Sequence, residues 1–158
     1  MKRAEHKKAK VLILMGSKSD RETMTETEKV LKHFGIACRK MVSSAHRDPE
    51  KTRKIAQSAE RDGIELIIAG AGMSAALPGF VASHTTLPVI GVPLINSPLS
   101  GLDSFLSMTQ MPSGVPVATL AVGKAGAKNA AILAAQILAL SDKRLKNKLK
   151  DFKKSLKK

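Results

Sequence analysis

The chain has 158 residues, 43% of them hydrophobic and only 3% aromatic, with no Trp or Tyr and a formal charge of +14. That length suits one domain able to bury its own core. A core so poor in aromatics must be built from Ala, Val, Ile and Leu, and disorder through the middle of the chain is excluded. The single cysteine, Cys38, excludes an intrachain disulfide; no Cys/His cluster has zinc-site spacing, and no apolar run approaches the ~20 residues of a bilayer span.

Residues 1–10 read as a basic N-terminal tail, with five Lys/Arg against one Glu and no signal-peptide apolar region after them. Val11-Leu12-Ile13-Leu14-Met15 reads as a first, fully buried strand that ends at Gly16. Ser19-Asp20-Arg21-Glu22 has capping-box form and predicts a helix from there to about Phe34, stopped by Gly35 in the left-handed region. A second, less apolar strand is expected over 36–42. Asp48-Pro49 is an N-cap followed by proline at the first helical position, and that helix is expected to run to Gly63.

Glu65 to Ala69 predicts a third strand, followed by a Gly70-Ala71-Gly72 loop and a short helix after Pro78. Pro88 to Val92 predicts the fourth strand, and 115–122 contains the fifth. Asn129 to Leu140 is rich in Ala and Leu and reads as helix. Residues 11–141 thus form a single catalytic domain. In 142–158, Leu145, Leu149, Phe152 and Leu156 fall on one stripe of a basic amphipathic C-terminal helix, suited to docking on its own domain or on a neighbouring subunit. Strands alternating with helices imply an α/β, three-layer αβα architecture: a doubly wound, flavodoxin-like five-stranded parallel sheet with an extra C-terminal helix.

The charge follows this division. The first ten residues carry +4 and the last seventeen +7, which leaves only +3 for the 131 residues between. A basic charge confined to tails that hold no aromatic but Phe152 reads as solvated lysines, with no specific nucleic-acid partner. The expectation is a soluble cytoplasmic protein with no membrane partner.

In such a sheet, ligands bind beyond the carboxyl ends of the strands. The candidate binding residues are those on the loops there: Ser17, Ser19 and Asp20 after strand one, Ser44 and Arg47 after strand two, Gly72 and Ser74 after strand three. The first loop leads into a helix whose backbone N–H groups can hold an anion, without Walker spacing. Arg47 can grip a phosphate through parallel hydrogen bonds, and the adjacent His46 can exchange protons near pH 7 as the candidate catalytic residue. His6, His33 and His84 lie away from these loops, and no Ser-His-Asp set can be ordered.

Taken together, the loops and strands resemble the N5-carboxyaminoimidazole ribonucleotide mutase (PurE) family, which is related to phosphoribosylaminoimidazole carboxylase. The matching segments are 16–20 (GSKSD), 44–47 (SAHR), 69–72 (AGAG), 77–79 (LPG) and 87–93 (LPVIGVP). Further matches are 101–104 (GLDS), 110–119 (QMPSGVPVAT) and 123–129 (GKAGAKN), so the resemblance covers roughly residues 11–140. It implies a flavodoxin-like subunit in a homo-octamer with sites at subunit contacts, substrate binding by Ser17, Asp20 and Arg47, and proton transfer by His46. The implied reaction is an isomerisation in purine biosynthesis that converts N5-carboxyaminoimidazole ribonucleotide to 4-carboxy-aminoimidazole ribonucleotide through CO2, without metal or organic cofactor.

One position departs from the pattern: Ala76 stands where mutases of the family carry a second histidine. The related carboxylases, which are lyases acting on aminoimidazole ribonucleotide and free CO2, also lack that histidine. A carboxylase is therefore the alternative, and a phosphoribosyl-ligand binding protein that has lost turnover is a further one. The third class, a nucleic-acid module, rests on charge alone.

Overall fold

The computed structural model describes residues 8–157. The N-terminal basic tail, with His6, thus lies almost wholly outside the described residues. In chain order the elements are β1 (Val11–Met15), a 3-10 turn (Lys18–Asp20), α1 (Arg21–Phe34), β2 (Cys38–Val42), α2 (Pro49–Ser58) and β3 (Leu66–Ala71). There follow α3 (Ala76–Ala82), β4 (Val89–Pro93), α4 (Leu102–Thr109), β5 (Ala118–Thr119), α5 (Gly123–Leu138) and α6 (Lys143–Ser155).

All strand pairings are parallel, and the order is β2-β1-β3-β4-β5. The chain therefore winds one way from β1 to β2 and the other way from β3 onward, and the order reverses between β1 and β3. Alternate residues of β1 face opposite layers. Val11, Ile13 and Met15 pack with α1, α5 and α6, while Leu12 and Leu14 pack with α2, α3 and Met108 of α4. The central strands are buried along their length, as covering on both faces requires. The edge strands β2 and β5 are partly exposed, which explains the less apolar sequence of β2.

Small side chains set the spacing of the first helical layer. α5 turns Ala127, Ala130, Ala131 and Ala134 inward, and α1 packs closely against it. The buried Thr27 hydroxyl of α1 donates to the Ala127 carbonyl at 2.9 Å. A Cβ on Gly126 would fall on the Ala121 carbonyl, so only glycine fits where the chain leaves β5. A Cβ on Gly70 would likewise press into the Met24 side chain of α1.

Several boundaries differ from those expected. The capping box belongs to Ser17 and Asp20, one turn earlier than Ser19 and Glu22, and it closes the 3-10 turn ahead of α1. Glu22 instead reaches Lys124 at 2.9 Å. β3 extends through Gly70 and Ala71, so the glycine loop begins only at Gly72. α3 starts before Pro78, which occupies its first turn, where no donor is needed. α2 stops at Ser58 and the chain turns through to Gly63.

Two differences are larger. α5 starts at Gly123, six residues before Asn129, and β5 pairs over only two residues. α4 has no counterpart in the expected elements. The C-terminal stripe is largely used up within the chain: Leu145 and Leu149 are buried in the core, Phe152 packs edge-on against Phe34 with ring centroids 5.4 Å apart, and only Leu156 is exposed. Among the described residues, no helix is long and apolar enough to cross a membrane.

Candidate active site

A cleft of about 390 Å³ opens at the carboxyl ends of β1, β2 and β3, where the strand order reverses. Ser17, Ser19, Asp20, Ser44, His46, Arg47, Gly72 and Ser74 all line it, so every candidate residue lies at one site. Three loops converge because the strands end within one residue of level: Met15 is opposite Val42 on one side and Gly70 on the other.

The first loop is built by its own side chains. The Ser17 hydroxyl accepts from the Ser19 N–H at 3.3 Å, and the Ser19 hydroxyl donates to it at 3.0 Å. The Ser17 N–H donates to Asp20 Oδ2 at 2.8 Å. This closes the loop over its own backbone and draws Asp20 inward until it is only 3% exposed. Burial pushes the Asp20 carboxyl above its ordinary value of 3.8, while the hydrogen bonds from the Ser17 N–H and the Asn96 amide oppose that rise, with lesser help from the nearby polar groups of Gly16 and Ser19. The carboxyl is thus held by neutral donors rather than by a cation.

In the second loop, the Ser44 hydroxyl accepts from the Arg47 N–H at 3.3 Å, and the Asp48 N–H donates to the Ser44 carbonyl at 2.9 Å. Asp48 then caps α2 by accepting from the Lys51 N–H at 3.1 Å. Beneath it, Ser43 and Thr52 share a buried hydroxyl contact of 2.8 Å. The backbone is therefore fixed, while the His46 and Arg47 side chains are exposed at the cleft. Of the other histidines, His33 packs against Phe34 and Phe152, and His84 stacks on Phe80 with its Nδ1 2.8 Å from the Phe80 carbonyl oxygen.

The third loop follows Ala71 and carries Met73 at φ 53°, an uncommon conformation for a residue with a Cβ. It places Gly72 and Ser74 on the cleft, with Ala76 beside them at the start of α3.

One polar residue escaped the sequence reasoning. Asn96 donates from Nδ2 to Asp20 Oδ1 at 2.7 Å and lines the same cleft. It follows β4, and extending the list of loop residues to the fourth strand would have found it. Among the described residues, no group of three His, Cys, Asp or Glu side chains is placed to hold a metal ion.

Comparison with known proteins bears on this site. The family profile described as AIR carboxylase matches residues 10–158. The N5-carboxyaminoimidazole ribonucleotide mutase of Saccharolobus solfataricus is 57% identical over 143 residues, 90% of this chain and 89% of that protein. The protein of the same name from Escherichia coli K12 is 52% identical over 147 residues, 93% of this chain and 87% of its own length. The crystal structure of Treponema denticola PurE superposes with a TM-score of 0.83 at 36% identity, over 92% of this chain and 89% of that one.

The raised Asp20 carboxyl has a consequence for stability. The folded state holds the Asp20 proton more tightly than the unfolded chain, so an ionised Asp20 costs stability at neutral pH. That cost fades as pH falls through the folded value and is gone below the unfolded value near 3.8. The unfolding free energy of Asp20→Asn relative to wild type is therefore expected to be most favourable near pH 7 and to shrink steadily towards pH 4. Urea titrations across that range measure it; a difference that stayed flat, or grew on acidification, would contradict the burial argument.

Proposed function

The chain belongs to the AIR carboxylase family, and from that premise we infer that it is an N5-carboxyaminoimidazole ribonucleotide mutase, an isomerase of purine biosynthesis. The observation that carries this reading is the convergence of Ser17, Asp20, His46 and Arg47 on one cleft, in a chain 57% identical to a protein named for that reaction.

In this reading the nucleotide phosphate lies against Arg47, and Asp20 receives the ribose hydroxyls; the N–H groups of Gly16, Ser17, Ser19 and Asp20 are spent within the protein. The reaction breaks the bond between the exocyclic N5 and the carboxyl carbon. N5 gains a proton and CO2 is released within the cleft. The neighbouring ring carbon C4 then attacks CO2, forming a carbon–carbon bond, and C4 loses its proton to restore the aromatic ring. One proton is taken up at N5 and one is released at C4, so a single imidazole can give the first and recover the second. Among the described residues, His46 is the one histidine on the cleft. Holding CO2 beside C4 replaces an encounter in free solution with a reaction between neighbours.

The carboxylase alternative rests on Ala76, the position that departs from the mutase pattern. Mutase names on relatives 57% and 52% identical over the aligned residues weigh against it.

His46→Asn is expected to bind the aminoimidazole nucleotide with near wild-type affinity but to lose carboxyl transfer about 10²–10⁴-fold. Arg47→Ala should show chiefly in KM instead. A His46→Asn enzyme that forms the 4-carboxy product at near wild-type rate would remove His46 from the mechanism.

A homo-oligomer, of eight subunits by family resemblance, is also part of this reading. Its support is the number of large apolar side chains left exposed along 95–106, Ile95, Leu99, Leu102 and Leu106, together with Met73 on the cleft. Monomers seldom leave an apolar stretch of this kind uncovered. Sedimentation at micromolar concentration should give one species several times the monomer mass, and a clean monomer would overturn it.

A further inference from the structure

We propose that Asn96 is a positioning residue: it holds the Asp20 carboxylate in the one orientation from which both of its oxygens can accept the vicinal hydroxyls of a ribose. The ribose part of this rests on the proposed function; the coupling of Asn96 to Asp20 does not.

The geometry points to a device rather than an incidental contact. Asn96 and Asp20 are 76 residues apart, on the loops after β4 and β1, and their side chains meet at 2.7 Å. The Asn96 amide fixes Oδ1 while the Ser17 N–H fixes Oδ2 at 2.8 Å. With one donor on each oxygen the carboxylate plane cannot turn. A carboxylate offers roughly four lone-pair sites, so one on each oxygen remains free, matching two adjacent O–H donors. The donor is neutral, so it orients the carboxylate without neutralising it, whereas a lysine there would form an ion pair that a ligand would have to break.

Asn96 is itself held in place. The Leu94 N–H donates to the Ala71 carbonyl at 3.0 Å, and the buried Ser104 hydroxyl donates to the Leu94 carbonyl at 3.0 Å. On the other side, the Ser97 hydroxyl donates to Asp103 Oδ1 at 2.8 Å. A Cβ on Gly72 would stand 3.0 Å from the Asn96 Cβ, so glycine at 72 leaves room for the amide to reach across the cleft.

The amide also opposes the effect of burial on Asp20. The ionisable groups around that carboxyl are His46 and Arg47 on the cleft and Lys18 and Arg21 beside it in the chain; residues 71–77 and 94–101 carry none. Without Asn96 the Asp20 carboxyl should hold its proton to higher pH. Since the ionised form binds the diol, binding should then fail at higher pH as the solution is acidified.

Two measurements test the proposal. Carbon-13 NMR of aspartate-labelled, ligand-free protein follows the Asp20 carboxyl, assigned as the signal missing from Asp20→Asn. In Asn96→Ala its titration midpoint should move upward; an unchanged midpoint would overturn the coupling. Because Asn96 is solvent-exposed, its truncation should leave the fold intact. Kinetics then compare the ribonucleotide with its 2′-deoxy analogue. Asn96→Ala should raise KM for the ribonucleotide about tenfold, the scale of one hydrogen bond to a charged group. It should leave kcat nearly unchanged, move the acid limb of kcat/KM to higher pH, and narrow the preference for ribose over deoxyribose. A fall in kcat with KM and sugar preference unchanged would overturn the positioning role. Wild-type protein that binds neither nucleotide would instead overturn the proposed function, and the NMR midpoint would still decide the coupling.

Discussion

Three loops can act as one site here because β1 is paired in parallel with β2 on one side and β3 on the other, with their carboxyl ends within one residue of level. Met15 faces Val42 and Gly70 in the same register, so the chain leaves the sheet three times at nearly one level. The ladder continues into the loops: the Gly16 N–H donates to the Gly70 carbonyl at 3.2 Å, and the Ser43 N–H to the Met15 carbonyl at 2.9 Å. Buried backbone groups must find partners, and these bonds satisfy them while tying each loop to its neighbour. A one-residue slip of β2 against β1 would turn its side chains to the opposite face and carry His46 and Arg47 away from Asp20.

On that frame the site divides its labour by burial. Asp20 is enclosed and held by fixed donors, so its place is set before a ligand arrives. His46 and Arg47 ride on a backbone fixed by Ser44, Asp48 and Thr52, yet their side chains stay exposed. Preset donors cost no reorganisation on binding.

The sequence was most legible where structure is decided locally. Five apolar residues before Gly16 make a buried strand, Gly35 at φ 75° ends α1, and Asp48 with Pro49 starts α2; each depends on residues a few positions away. The misses depend on distant contacts. α4 is eight residues long and is held by Ser104 and Met108 buried against the sheet, which no local pattern announces. Gly123 and Gly126 look like loop residues, but Gly123 starts α5 at φ 72°, and Gly126 follows within α5, where the Ala121 carbonyl leaves no room for a Cβ. The candidate residues of the first three loops could be named from strand ends alone. Asn96 could not be ranked without knowing that it meets a carboxylate 76 residues away.

In the reaction we infer, the carboxyl group moves within this cleft from N5 to C4 of one bound nucleotide. Single-turnover reaction of N5-carboxyaminoimidazole ribonucleotide, labelled with carbon-13 in the carbamate and mixed with excess unlabelled bicarbonate, tests this directly. The 4-carboxy product is expected to keep the label, because the released CO2 is captured before it escapes. A product carrying unlabelled carbon in proportion to the bicarbonate pool would show that the carboxyl group comes from solution, and the inference would be wrong.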